Sequence, residues 1–374
     1  MSFKLIENQT ELESLCKVLN QRTVLAIDTE FVRQRTYYPK IGLIQINCGE
    51  HIYLIDPLEV ESWQSFNRIL ENENIIKVIH SCSEDVEVFK SALGANVKGF
   101  YDTQIAESFC SGAMSLGLAA LVNQYKHIQL DKGHARTDWL QRPLTPEQLN
   151  YAASDVLYLL DIYHLQIVTL GQKYAQAKED VESVIAKKYL IPNPDLAWRD
   201  IKSNWLLSPR QLAVLRLLAK WRLENAIARD MAINFVIHER SIIALATRQP
   251  MSINSMKNVP DIHPMEIRKH GNTLLEFIEQ GKNVPIAECP PKVRRLSELA
   301  QYKPLYTEAK ALISEIAQTV GINVELLASK RQINQYISYH WQINPWCQDE
   351  LPELGTGWRG ELLDDALKNI VLKG

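Results

Sequence analysis

The 374-residue chain has no C-x-x-C pair: its six cysteines, Cys16, Cys48, Cys82, Cys110, Cys289 and Cys347, lie far apart. That scatter argues against zinc ribbons and a disulfide scaffold and fits a reducing compartment. No apolar run is long enough to span a bilayer, and the opening MSFKLIENQTELESL is amphipathic and acidic, unlike a signal peptide. The expectation is a cytoplasmic protein with no membrane partner. Positive charge is not in excess either, since the net charge is −3. Residues 1–205 carry 20 Lys/Arg against 26 Asp/Glu, a balance of −6, whereas residues 206–374 carry 21 against 18, a balance of +3. A basic footprint of the kind nucleic acids demand is therefore mild, and charge alone does not point to such a partner.

The length exceeds what one core comfortably fills, so two or three domains are expected. Two proline-rich breaks divide the chain. YLIPNPDLAW, with Pro192 and Pro194, ends a long helical stretch, and NVPIAECPPK, with Pro285, Pro290 and Pro291, is a second connector. Three segments result: 1–195, 205–283 and 293–374.

The first segment mixes patterns. Val24–Asp28, Leu43–Cys48, Ile52–Ile55 and Ile75–Ile79 read as short strands, and helices are expected at Glu61–Leu70, Glu84–Leu93, Leu116–Tyr125 and Pro146–Ile167. Ser81 or Ser83 would cap the second helix. This predicts an α/β unit, a mixed sheet flanked by helices. The other two segments read as all-helical bundles that resemble each other. Ile227-Ala228 precedes Ile233-Asn234 at the spacing with which Ile316-Ala317 precedes Ile322-Asn323.

Acidic residues carry the chemistry. Asp-x-Glu occurs three times, at Asp28–Glu30, Asp85–Glu87 and Asp180–Glu182, and context separates them. Asp28 and Glu30 follow the apolar run of a buried strand, where a period of two sets both carboxylates on one face. Like charges held together there are costly without a cation. Asp180 and Glu182 lie in a polar helical stretch and read as a solvated face. Asp85, in HSCSEDVEVF, has two readings, a metal ligand or an acid favoured by a helix N-terminus. Tyr151 and Asp155, in YAASDV, share a helix face, either as a site pair or as a hydrogen bond that closes a core. His80, closing a strand, reads as packed or hydrogen-bonded.

In order and spacing, DTEF, HSCSEDVEVF and YAASDV resemble the three motifs of the DEDD superfamily of 3′→5′ exonucleases, in the branch with tyrosine in the third motif. The flanking TYYPKIGLIQI, YDTQIA and KGHARTDWLQRPLTPEQLNYAASDV narrow the resemblance to the ribonuclease D family. The tail resembles two copies of the helicase-and-ribonuclease-D C-terminal (HRDC) module, the second including LGTGWRGELL. The resemblance implies a ribonuclease H-like exonuclease domain over 1–195, a first HRDC domain over 205–283 and a second over 293–374. It also implies two divalent cations, Mg²⁺ or Mn²⁺. Asp28, Glu30 and Asp155 would hold one, and Asp28 would bridge to a second supported by Asp85. Tyr151 would orient the attacking water, and nucleoside 5′-monophosphates would leave from the 3′ end of RNA, with transfer RNA precursors the implied substrate.

No protein partner is required by this reading. Lys132 and Arg136, with Trp139, either meet RNA near the site or pair with Asp131 and Asp138 while the indole packs. Tyr37 and Tyr38 either stack on bases or pack locally beside Pro39. Arg268, Lys269 and His270, before Gly271, read as a basic cluster at a helix turn, in contact with nucleic acid or simply solvated. Two other functions remain open at this level: a DNA 3′→5′ exonuclease, and a catalytically silent RNA-binding adaptor.

Overall fold

The computed structural model describes residues 2–130, 133 and 137–372. Six strands form one mixed sheet: β1 (Phe3–Ile6), β2 (Val24–Val32), β3 (Lys40–Asn47), β4 (Ile52–Ile55), β5 (Ile76–Ile79) and β6 (Phe100–Asp102). They lie in the order β1-β4-β3-β2-β5-β6. β3 is antiparallel to both β2 and β4, while the β1–β4, β2–β5 and β5–β6 pairs are parallel. β1 and β6 were not among the expected strands. They are the edges of the sheet, four and three residues long.

Helices cover both faces. α1 (Gln9–Leu19), α2 (Gln64–Leu70) and α3 (Ser83–Val88) pack with Leu25, Ile27, Ile44 and Ile79 on one face. α4 (Thr103–Cys110), α5 (Leu118–Lys126), α6 (Pro146–Leu157), α7 (Leu159–Leu170) and α8 (Tyr174–Tyr189) complete the segment. Of these, α4, α6, α7 and α8 place Phe109, Ala152, Ala153, Val156, Tyr163 and Ala177 in the core of the other face, with Ala26, Leu43 and Leu54. The single helix expected over Pro146–Ile167 is two, broken at Tyr158. Asn47 of β3 donates its side-chain amide to the Val156 and Leu157 carbonyls at 3.1 and 3.2 Å, taking acceptors that a continuous helix would use.

The remaining helices repeat a plan. α9 (Pro209–Ala228), the one-turn α10 (Ile233–Val236) and α11 (Glu239–Arg248) lead to α12 (Ile253–Met256) and α13 (Pro264–Asn283). α14 (Tyr302–Val320), the one-turn α15 (Val324–Leu327) and α16 (Lys330–His340) repeat the long–short–medium opening, and α17 (Gly357–Val371) closes the chain. The paired dipeptides fall in the last turns of the long helix and at the entry to the short one in both copies, Asn323 being the N-cap of α15. Capping boxes start α6 (Thr145, Gln148), α9 (Ser208, Gln211) and α16 (Ser329, Gln332), each a contribution of about 1 kcal/mol.

Packing across the segments is unequal. Trp198, Leu212, Ile242 and Leu274 belong to a separate core, whereas Leu305, Ile313, Ile337 and Leu363 join the core beneath the sheet. Asp180 explains the second arrangement and corrects its reading as a solvated residue. It receives both terminal nitrogens of Arg359 at 2.5 and 2.8 Å and the Trp358 indole N–H at 3.0 Å. Among the described residues, no helix is long and apolar enough to cross a membrane.

Candidate active site

The acids gather along the second half of β2, which runs on past them to Val32. The antiparallel register sets Asp28 opposite Gln45 and Glu30 opposite Leu43, so these four side chains share the sheet face covered by α6. α6 brings Asp155 to that face, while Asp85 arrives from α3 on the other. Thr29, whose side chain alternates away from Asp28 and Glu30, donates its hydroxyl to Asp85 at 2.5 Å. The Tyr151 hydroxyl hydrogen-bonds the Asp155 carboxylate one turn along α6.

The loop before α3 is set by a residue outside the expected site. Asp102, at the end of β6, accepts the backbone N–H groups of Ser81 and Cys82 at 2.9 and 2.8 Å and also caps α4 through Gln104 N–H at 2.8 Å. This corrects the capping expectation: Ser81 has a φ of 64° and neither serine side chain caps α3, because Asp102 already holds the turn. The signal was present in YDTQIA, an aspartate directly before a helical run. His80 is hydrogen-bonded, through Nδ1 to the Thr103 hydroxyl at 2.9 Å.

Electrostatics tie the acids together. Burial, then Asp85, Asp155 and Glu30, hold the Asp28 carboxyl well above the ordinary range. Burial and the charges of Asp155 and Asp85 push Glu30 up to about 9. Burial raises Asp85 and Asp155 to about 7 each, against the opposing hydrogen bonds from Thr29 and Tyr151. Burial, then Asp155, Glu30 and Asp28, raise the Tyr151 phenol, which therefore stays protonated at neutral pH. Among the described residues, no three aspartate, glutamate, histidine or cysteine side chains are already grouped to hold a metal ion. Two of the carboxylates are instead engaged by Thr29 and Tyr151.

The chemistry of the donors nevertheless fits divalent cations. All are oxygen anions, and among the described residues no lysine or arginine is a main cause of their shifts. Gln45, buried opposite Asp28, has both amide atoms without a hydrogen-bond partner among the described residues, an orphan that suits a hydrated ion.

The other candidates separate. Lys132 and Arg136 lie outside the described residues. Trp139 is 1 % exposed and packed in the core, so the indole is not a base-stacking surface. Tyr37 and Tyr38 meet edge to face at 4.9 Å, and both backbone N–H groups donate to Asp230, at 3.1 and 2.9 Å, which joins this loop to the first helical module. Arg268 and Lys269 are exposed on α13 and rim a groove of about 760 Å³ with His270. They sit within the helix rather than at a turn, because Gly271 continues it.

Residues 3–166 match the 3′-5′ exonuclease family, 211–278 the HRDC domain, and 300–367 the ribonuclease D C-terminal HRDC domain. The chain is 42% identical to ribonuclease D of Cronobacter turicensis, covering 98% of this chain and 99% of that one. It is likewise 42% identical to ribonuclease D of Escherichia coli, covering 99% of each. Its fold superposes on the crystal structure of E. coli RNase D, an exoribonuclease involved in structured RNA processing. The TM-score is 0.95 at 41% identity, covering 100% of this chain and 99% of the other.

Proposed function

The chain belongs to the ribonuclease D family of 3′-5′ exoribonucleases, and from that premise we propose that it removes nucleoside 5′-monophosphates from the 3′ end of RNA, in the maturation of transfer RNA precursors, by a two-metal mechanism. The observation that carries the mechanism is the convergence of four buried carboxyls from β2, α3 and α6, each raised above its ordinary range by burial first, with no main countercharge among the described residues. Asp28, Glu30 and Asp155 would hold one cation and Asp28 with Asp85 a second, as Mg²⁺ or Mn²⁺. Bound there, the pair supplies activation of water and neutralisation of charge at the scissile phosphate.

The protein's own groups do the rest. Thr29 restrains one Asp85 oxygen through its hydroxyl. Tyr151, raised and protonated, is a poor base but a good hydrogen-bond donor, so it orients the attacking water rather than deprotonating it.

The test is an RNA with a structured stem and an unpaired 3′ tail, with and without chelator, beside a DNA strand of the same sequence. Stepwise release of mononucleotides from RNA, halted near the stem and abolished by chelator, is expected. Metal-independent cleavage would refute the mechanism. Equal or faster degradation of DNA would refute the substrate class, and sound RNA binding without cleavage would identify a silent adaptor.

A further inference from the structure

Arg142 fastens the segment before α6 to the sheet. Its guanidinium donates to the two Asp56 oxygens at 2.5 and 2.7 Å, to the Gly42 carbonyl at 2.7 Å and to the Trp139 carbonyl at 2.9 Å. Asp56, at the end of β4, is 4 % exposed, so this bidentate pair is largely shielded from water. Gly42 of β3 completes the seat. A Cβ there would lie 2.6 Å from the Trp139 carbonyl oxygen and 2.7 Å from its Cβ, too close to accommodate.

What this seat fixes is an indole. The Trp139 N–H makes no hydrogen bond among the described residues, so its backbone attachment and its packing decide where the ring lies. The ring stands 6.2 Å from that of Tyr151, tilted by 38°. Tyr151 in turn reaches Asp155. A continuous chain of contacts therefore runs from a buried ion pair, through a fixed indole, to the phenol beside the acids.

We propose that Arg142 is a positioning residue for hydrolysis: anchored by Asp56, it holds Trp139 as the wall against which the Tyr151 ring is set. This rests on the reading of Tyr151 as the group that orients the attacking water. A pair that merely staples the fold would alter stability without any special dependence on the tyrosine hydroxyl.

Steady-state hydrolysis of the stem-and-tail RNA by the full-length protein with Mg²⁺ distinguishes the two, using Arg142→Lys, Tyr151→Phe and the double variant. Lysine keeps the charge and loses the fork. Arg142→Lys is expected to lower kcat by about tenfold or more with KM within about twofold, because small misplacements of a reacting group are costly. In the Tyr151→Phe background the same change is expected to cost less than about twofold, since the hydroxyl it positions is already gone.

Equal losses in both backgrounds, a loss confined to KM, or full kcat in Arg142→Lys overturns the proposal. Should circular dichroism show Arg142→Lys unfolded, Trp139→Phe, which leaves the backbone seat intact, goes through the same cycle under the same criteria. Full activity of Tyr151→Phe alone would remove the role of the tyrosine and the clamp with it. A loss in Tyr151→Phe without coupling to either partner would remove the clamp only.

Discussion

Asp28 and Asp155 are costly residues for the metal-free protein, because each adds a buried negative charge to a site that already holds others. Replacing either by asparagine removes repulsion while keeping shape. Asp28→Asn and Asp155→Asn should therefore melt no lower than wild type, yet lose more than about a thousandfold in kcat, the several kcal/mol that charge stabilisation by metals supplies. Calorimetry and mononucleotide release check the two halves separately. The sign of the pH dependence follows from the raised carboxyls. Their values rise from ordinary ones of 3.8 and 4.5 to about 7 for Asp85 and Asp155 and about 9 for Glu30, so the folded state binds more protons than the unfolded state across that window. Stability from these groups is accordingly lost as pH rises through it. Cations displace those protons, so Mn²⁺ should raise the melting temperature more at about pH 8 than at about pH 6. An equal shift at both would contradict ligation by these groups. At this scale the sequence carried the residue types and their order, but not that Asp85 is held by Thr29 from the opposite face.

α3 depends on a residue from another strand. Asp102 joins the turn at Ser81 and Cys82 to the start of α4, and it is 2 % exposed, so the bonds it accepts are shielded. Asp102→Asn turns a donor toward one of those N–H groups and should cost about 2–3 kcal/mol, in the range of hydrogen bonds to charged groups. The measurement is denaturant unfolding, with kcat falling as well because Asp85 rides on α3. An unchanged midpoint would show that the turn holds itself. β2, β4 and α5 were legible, lying within a few residues of where their patterns place them. The three-residue edge strand β6 and the break between α6 and α7 were not, since so short a strand has no periodicity and the break is made by Asn47, about a hundred residues earlier in the chain.

Specific polar and ring contacts, beside the shared apolar core, join the three segments. Asp230 takes two backbone N–H groups from the loop after β2, Arg359 grips Asp180 on α8, and Trp198 meets Trp346 edge to face at 5.2 Å. Arg359 and Asp180 are each 14% exposed in their side chains, so solvent screens their pair somewhat. Arg359→Met should destabilise by about 1–3 kcal/mol, below the full cost of orphaning a deeply buried charge. Hydrogen exchange should localise the loss to α17 and α8. Exchange unchanged in both helices would mean that apolar packing alone docks the last segment.

Composition, hydrophobic period and motif order determined by themselves that the chain is an α/β unit followed by two helical repeats, and they singled out Asp28, Glu30, Asp85, Asp155 and Tyr151 as the candidates for its chemistry. Each of these signals is local, written within a few residues of its own motif or element. Tertiary structure alone decided the partners of each charge: Thr29 for Asp85, Arg359 for Asp180, Arg142 for Asp56. Such pairs join residues tens to more than a hundred positions apart, and no local pattern encodes which buried charge another will meet.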